Sequence, residues 1–456
     1  MTRHVAVIDI GKTNAKVALV DLADLREVAL RRMANAPVLD GPYPHHDVEL
    51  LWSFILDSLA EINREQRIGA ISITTHGATG VLVDAAGELV LPVLDYEFAG
   101  PDTLAEDYDT IRPAFAETGT PRLPAGLNLG AQLFWQQKRF PAEFAKAAAM
   151  LMYPQYWALR LTGVAANEVT SLGCHTDLWN PWKADFSSLV DKMQWRHLMT
   201  PVRPAKDRLG PILPALAIRT GLDSQTPVFC GLHDSNASLL PHLLSDTPPF
   251  SVVSTGTWVV SMAVGGNKVT LDPARDTLVN VNALGNPVPS ARFMGGREFS
   301  LLTQGQSDDW TEADIATVLA RKTSLLPSTQ QGSGPFPHHR AAWLDADGIN
   351  GGQRFAAISF YLALMTATCL DLIGAGGPTT VEGPFARNRP FTRMLAAATA
   401  RAVIASEAAT GTSIGAALLA SEHGTIQGAG ERFEPPADPA WADHARSWRA
   451  AVDAQG

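Results

Sequence analysis

Cysteine is almost missing from this sequence. Of 456 residues only Cys174, Cys230 and Cys369 are cysteine, and no two have CxxC spacing. That excludes a disulfide framework and gives no support to a zinc ribbon or a thioredoxin-like motif. Basic residues are outnumbered, 36 against 46 acidic, for a formal charge of −10. Nonspecific nucleic-acid binding and docking on an anionic membrane both run on excess Lys and Arg, so neither is expected. No run of 18 consecutive apolar residues occurs, so no membrane span is expected. The first residues lack a charged-then-apolar leader pattern, and a cytoplasmic protein is expected. What is present is a globular composition, 46% hydrophobic and 18% charged, enough to bury sizeable cores. At about 150 residues per domain the length points to two or three domains.

Residues 4–10 and 15–22 are apolar and β-branched and flank the turn Gly11-Lys12-Thr13-Asn14. They read as a hairpin, with a third strand over 25–33. Residues 47–65 switch to helical spacing, with Leu51, Phe54, Ile55, Leu59 and Ile62 on one face. Strands over 68–75 and 80–84 follow, and the alternation predicts an α/β class. Helices are expected over 129–139, 142–150 and 186–199, then a Pro-rich connecting stretch over 200–228. A buried strand over 227–232 leads into a helix over 236–244. A second strand–turn–strand unit, 250–254 and 258–264 around Thr255-Gly256-Thr257, mirrors the first. The two hairpins lie about 245 residues apart, too far for a solenoid and suited to two similar domains, 1–245 and 246–430. Residues 323–340 read as a loop, 353–373 as a core helix, 379–382 and 403–405 as strands, and 391–401 and 413–422 as helices. Residues 431–456 read as a tail on the surface.

Gly11-Lys12-Thr13 is not a Walker A loop. That motif needs a glycine five positions before the Gly-Lys pair and a helix after it; Ala6 stands at that position and a strand follows. What remains is an acid and a glycine at a hairpin bend. Gly11 lets the backbone approach a ligand, Thr13 and turn amides can donate to phosphate oxygens, and Asp9 can hold a hydrated Mg²⁺. Ser254-Thr255-Gly256-Thr257 again puts hydroxyls and a glycine at a strand–strand bend. Asp234 lies between a buried strand and a helix, where open α/β sheets place functional groups; there it could accept a proton during phosphoryl transfer. Val381-Glu382-Gly383-Pro384-Phe385-Ala386-Arg387-Asn388 is a small-residue turn between strand and helix that can seat a purine. Each also has a plain structural reading: a hairpin turn, a helix N-cap or a strand-to-helix loop. The adjacent pairs His45-His46 and His338-His339 have diverging side chains and read as loop residues, not metal ligands.

In this order and spacing the four elements resemble the FGGY family of carbohydrate kinases, over about residues 4–422. Asp9-Ile10-Gly11-Lys12-Thr13 is similar to the family's first phosphate motif, usually D-x-G-T-T, with Lys12 in place of the first Thr. Asp234 is similar to its catalytic base, and Ser254-Thr255-Gly256-Thr257 to its second phosphate motif. Thr118-Gly119, Trp135, Leu161-Thr162-Gly163 and residues 407–420 also fit. His233-Asp234, the Met152-Tyr153-Pro154 run and Asn167-Glu168-Val169-Thr170-Ser171 look like the rhamnulokinase branch. In the adenosine motif Gly383 and Asn388 are kept. Pro384 and Phe385 replace the usual glycines, which puts Phe385 beside the base.

The resemblance implies the two-domain actin/sugar-kinase/Hsp70-like (ribonuclease H-like) α/β fold, with a catalytic cleft between the domains. It implies ATP-dependent phosphorylation of a ketose or polyol hydroxyl, with L-rhamnulose or L-fuculose ahead of D-xylulose and D-ribulose. Asp234 would be the base, and Mg²⁺ would sit near Asp9 and Asp234. Gly11, Lys12, Thr13, Asn14, Thr255, Gly256 and Thr257 would hold phosphates, with Gly383 and Asn388 at the nucleotide. His76, Gly77 and Asp95, together with Asp234, would meet the sugar; Asn128 and Gln132 occupy further sugar positions. The partners expected are a sugar and a nucleotide, in a monomer or homodimer, without nucleic acid or membrane. A non-catalytic sensor or regulator on the same fold is the alternative; loss of the base or a phosphate motif would favour it, and all are present. An actin- or Hsp70-like ATPase with a protein client is a third reading, and no client-binding domain is identifiable.

Overall fold

The structure, a computed structural model, describes residues 2–304, 309–406, 411–421 and 430–455. The chain divides into two units, Met1–Ser245 with Val279–Pro287 and Thr410–Ile426, and Asp246–Leu278 with Val288–Ala409 and Gln427–Gly456.

In the first unit β1 (His4–Ile10), β2 (Asn14–Asp21) and β3 (Arg26–Ala34) form an antiparallel meander. The helix α1 (Val48–Glu65) returns the chain to β4 (Ala70–Thr75), parallel to β1. Two short strands, Pro227–Phe229 and Leu232–His233, also pair with β4 in parallel. β1 is an unbroken apolar run because both its faces are covered. Ala6, Ile8 and Ile10 pack with Leu51, Ile55, Leu59 and Ile62 of α1, while Val5 and Val7 pack with Ala237, Leu240 and Ala416. The two-residue period of a strand therefore aims Asp9 at the second layer.

Several elements differ from the sequence expectation. Gly231, at φ +81°, splits the 227–232 run into two strands; a Cβ there would lie 2.5 Å from the Ile73 carbonyl oxygen of β4. The helix expected over 142–150 shrinks to Pro141–Phe144, and β6 (Ala149–Met152) pairs with β5 (Gly80–Val83). Tertiary pairing overrides helical propensity there, and Asn167 secures it, accepting from Met152 N at 2.7 Å and donating to Met150 O at 2.8 Å. The helix expected over 186–199 breaks into Ser188–Lys192 and a 3₁₀ turn at Trp195–Leu198, separated by Gln194 at φ +57°. The Pro-rich 200–228 stretch holds a strand, Arg208–Pro211, and a helix, Pro214–Thr220. Pro214 starts that helix, where a missing N–H costs nothing.

In the second unit the hairpin Phe250–Thr255/Val259–Val264 lies beside Thr379–Glu382, parallel to its first strand, followed by Val403–Ser406. The helix Gly351–Leu372 is capped by the reciprocal Asn350–Gln353 box and buried nearly all round. Among the described residues it alone is long and apolar enough to cross a membrane, with mean hydropathy 1.7, but 89% of that window is buried in the protein. The helix Thr412–Ala417 continues as a 3₁₀ turn to Ala420; its expected end at 422, and the 407–410 part of the family likeness, lie outside the described residues.

The expected loop over 323–340 opens with a strand, Ser324–Leu326, paired with Ala342–Leu344. Residues 431–456 are not a surface tail. Gly430–Phe433 extends the sheet beside Val403–Ser406, and the helix Pro439–Asp453 buries Trp441, Trp448 and Val452 in the same core as Gly351–Leu372. The Trp448 indole N–H donates to Leu325 O at 2.8 Å. Trp448→Ala should therefore cost about 3–5 kcal/mol of unfolding free energy in a urea titration. A loss under about 1 kcal/mol would show that this helix is peripheral.

Candidate active site

The first unit gathers its polar chemistry at one sheet edge. β1, β4 and Leu232–His233 run parallel, with Asp9 opposite Thr74, Ile10 opposite Thr75, and His233 opposite Thr75. Residues just past the carboxyl ends of such strands form the usual binding crevice of an open α/β sheet. Asp9, His76 and Asp234 all emerge there.

Asp9 is 6% exposed. Lys16, its cross-strand partner on β2, puts Nζ 3.2 Å from its carboxylate, and the Thr412 hydroxyl donates to the same oxygen. Burial still raises its pKa, against the pull of Lys16 and Thr412 and with help from the Asp234 charge. Asp234 opens the helix Asp234–Ser245; Ser235 N donates to its carboxylate at 2.6 Å. So the N-cap-like bond exists, but to the next residue, and 29% of the side chain stays open. Burial raises the Asp234 pKa, and nearby His76 opposes the rise.

His76 is buried, and its Nδ1–H donates to Gly77 O at 2.9 Å. That bond fixes the tautomer, so Nε2, which has no partner among the described residues, presents a lone pair. Burial keeps the ring neutral by lowering its pKa. His46, read from sequence as a loop residue, is 2% exposed with its ring 5.1 Å from that of His76. Both His46 nitrogens lack partners among the described residues, and burial holds the ring well below its ordinary pKa. The Tyr96 ring meets His76 edge-on at 5.4 Å; burial pushes its hydroxyl up to about 12, so it stays protonated.

Lys12 does not point freely from its turn. Its ammonium pairs with the buried Asp95 carboxylate, lies 3.3 Å from Glu97, and sits 5.0 Å above the Tyr96 ring. Gly11 N closes the turn on Asn14 O at 2.9 Å, and Asn35 Nδ2 holds Gly11 O at 2.8 Å. Thr13 and Asn14 are exposed, and the Asn14 amide donates to the Thr13 hydroxyl at 3.0 Å. Asn128 and Gln132 are spent on backbone. Asn128 accepts from Leu123 N at 2.8 Å and donates to Pro121 O and His175 O, and Gln132 donates to Ala78 O at 2.6 Å.

A buried set of groups holds the segment that carries Asp234. Glu168, fully buried, accepts from Thr170 N at 2.9 Å and from the Thr170 hydroxyl. That hydroxyl accepts from His233 N at 2.9 Å. His233 Nε2 lies 3.1 Å from the Asp234 carboxylate, and burial lowers its pKa to about 4. Gly77 is glycine for packing: a Cβ there would sit 2.9 Å from His233 Nε2. Sequence reasoning noticed 167–171 as a family likeness but gave Glu168 and Thr170 no task. Lys16 was legible, since the four-residue turn Gly11-Lys12-Thr13-Asn14 sets it opposite Asp9.

In the second unit the expected nucleotide residues form one packed corner. The Thr255 hydroxyl donates to Glu382 O and accepts from Phe385 N at 3.1 Å. Gly383, at φ +82°, approaches so closely that a Cβ would lie 2.1 Å from Thr255 O. Gly256 N is taken by Trp258 O at 3.0 Å, while Thr257 is exposed. Asn388 caps the helix Arg389–Thr399 through Phe391 N and donates to Ser359 at 2.9 Å. Phe385 does not stand open beside a base: its ring is buried 5.4 Å from Phe299 and 5.2 Å from Phe391.

Two α/β units, each opening on a hairpin beside a parallel strand, with acids at one carboxyl edge, define a two-domain sugar-kinase fold. Residues 4–241 match the N-terminal domain of the FGGY family of carbohydrate kinases, and 247–428 match a carbohydrate kinase FGGY C-terminal domain. The chain belongs to the FGGY family of carbohydrate kinases. It is 39% identical to a carbohydrate kinase from Novosphingobium aromaticivorans, covering 99% of both chains with a TM-score of 0.92. It is 26% identical to an L-fuculokinase of Salmonella typhi over 58% of this chain; that alignment spans only 57% of the fuculokinase. A rhamnulokinase of Mannheimia succiniciproducens is 25% identical over 41% of each chain.

Burial pushes the Glu168 carboxyl from 4.5 up to about 8. A raised acid stays protonated when folded but ionises when unfolded, so stability falls as pH rises from about 4.5 to about 8. Glu168→Gln keeps an acceptor for Thr170 and removes the titration. Relative to wild type it should gain stability steadily across that window in urea unfolding at several pH values. A difference independent of pH would show that Glu168 is ionised in the folded state.

Proposed function

We propose that this protein transfers the γ-phosphoryl group of ATP to a hydroxyl of a ketose, with Asp234 as general base. The observation that carries this reading is the meeting of Asp234, His76 and Asp9 at one sheet edge. Asp234 is partly desolvated and raised in pKa, which makes it a better proton acceptor than a surface carboxylate. His76 offers an acceptor at Nε2 for a sugar hydroxyl, and Asp95 and Gly77 line the same loop region. L-fuculose or L-rhamnulose is the sugar favoured, on the L-fuculokinase and rhamnulokinase likenesses; D-xylulose, D-ribulose or a polyol follow. A cytoplasmic location belongs to the same proposal.

The residues also fit a hydrated Mg²⁺. Asp9 and Asp234 are partly desolvated carboxylates whose charges oppose each other. Mg²⁺ keeps several waters and needs only one or two carboxylates beside substrate phosphates. When bound it supplies charge neutralisation at the β- and γ-phosphates. Thr13 and Asn14 at the first turn, beside Gly11, and Thr257 at the second are proposed to hold phosphates. Thr255, Gly256, Gly383 and Asn388 act by shaping the nucleotide corner. Phosphoryl transfer asks mainly for such positioning.

The test is coupled ADP release over a panel of ketoses, aldoses and polyols. One or a few ketoses should stand out; a flat panel favours a sensor on the same fold. Asp234→Asn should lower kcat by about 10²–10⁴-fold or more while MgATP binding persists by calorimetry. Near-wild-type turnover would remove Asp234 as the base. Because the ionised carboxylate is the active form, activity should be lost as pH falls through its raised pKa. The acid limb of kcat/KM should therefore lie above the ordinary Asp value of about 3.9. A limb at or below that value would contradict a desolvated base.

A further inference from the structure

Lys12 is the residue whose place in the fold least fits its place in the motif. It sits in the first phosphate turn, yet its ammonium is directed away along the 95–97 loop. It pairs with Asp95, whose side chain is 5% exposed, and lies 3.3 Å from Glu97. Its charge also rests 5.0 Å over the Tyr96 ring, a cation–π contact. Tyr96 in turn meets the His76 ring at 5.4 Å. One Asp95 oxygen is committed to Lys12 and to Glu97 N at 3.1 Å. The other has no hydrogen-bond partner among the described residues. We propose that Lys12 is a positioning residue of the sugar site: it fixes the Asp95 carboxylate and the Tyr96 ring for a neutral polyol and does not serve the ATP phosphates.

The physical case is one of competing partners. For Lys12 to reach a phosphate it would have to leave Asp95, stranding a buried carboxylate without its counter-charge. The pair also cancels charge where a sugar hydroxyl would bind. With Lys12 and Lys16 set against Asp9, Asp95, Glu97 and Asp234, acids outnumber bases in the region, which disfavours sugar acids and sugar phosphates and favours an uncharged ketose. The Lys12 charge adds to burial in holding His46 and His76 neutral, so His76 keeps its acceptor nitrogen. This inference rests on the kinase reading above and narrows it.

The experiment uses Lys12→Thr, which restores the residue usual in the family motif, and Lys12→Met, which keeps the stem under the Tyr96 ring. For each, the MgATP Kd is measured by calorimetry without sugar, and KM and kcat with the ketose found in the panel. The expected result is a sugar KM raised about 10-fold or more, an MgATP Kd within about twofold of wild type, and a kcat changed far less than KM. Asp95→Asn should raise the sugar KM similarly, and Lys12→Thr with Asp95→Asn should be no worse than the poorer single variant, since both break one pair. Lys12→Arg should recover part of the sugar affinity. An MgATP Kd weakened about 10-fold, or an unchanged sugar KM in folded variants, would overturn the proposal. A flat sugar panel sinks the kinase reading instead, and the MgATP measurement then decides by itself whether Lys12 serves phosphate.

Discussion

The pairing of β4 with two parallel neighbours is the constraint on which the first unit's chemistry depends. β1 lies on one side of it and Leu232–His233 on the other. Parallel strands in register end at the same level, so residues distant in sequence leave the sheet together. Asp9, His76 and Asp234 are juxtaposed by this alone. Their supports follow from the same geometry. Lys16 faces Asp9 because β2 pairs with β1. Gly231 can cross β4 only without a side chain. Gly415 lets its helix reach the Asp234 helix so closely that a Cβ would lie 1.7 Å from Ala237 O, which also delivers Thr412 to Asp9.

Burial then sets the protonation of these groups. Asp9, Asp234 and Glu168 are all pushed toward their neutral forms, and His46, His76 and His233 likewise. The groups differ in what opposes that push. Asp9 has Lys16 and Thr412, which favour its charged form. Glu168 has only hydroxyl and amide donors and sits near neutrality. The result separates a site that can carry charge from a scaffold that avoids it. A chain with net charge −10 has no overall field to draw in a polyanion. Any such attraction must come from local groups such as backbone amides and hydroxyls.

Much of this was legible in the sequence because it is local. The hairpins, their glycines, α1 and the strand-to-helix placement of Asp234 all follow from short-range pattern. What was not legible depends on long-range pairing. β6 was read as helix because Ala147 to Met152 suits either state, and only β5 decides between them. The last helix was read as a tail because its polar residues are frequent, while Trp441, Trp448 and Val452 reveal a buried face only once the core they enter is known. His46 looked like a loop residue for the same reason: nothing in His45-His46-Asp47 shows that the second ring lies against His76.

The two hairpins show how far a motif determines a site. Both are antiparallel pairs beside a parallel strand, each with a short turn that contains a glycine and a threonine. In the first the turn itself stays open, and its lysine is drawn off to the neighbouring loop. In the second the turn is roofed by backbone: Gly383 presses on Thr255, and Gly296 approaches so that a Cβ would lie 1.9 Å from Gly256 O. The Thr255 hydroxyl, the most ligand-like group in the motif, is consumed holding Glu382 and Phe385 together. A hydroxyl or amide in a phosphate motif can therefore act through the shape of the corner it locks. The exposed groups of the two turns are Thr13 and Asn14 in one and Thr257 in the other.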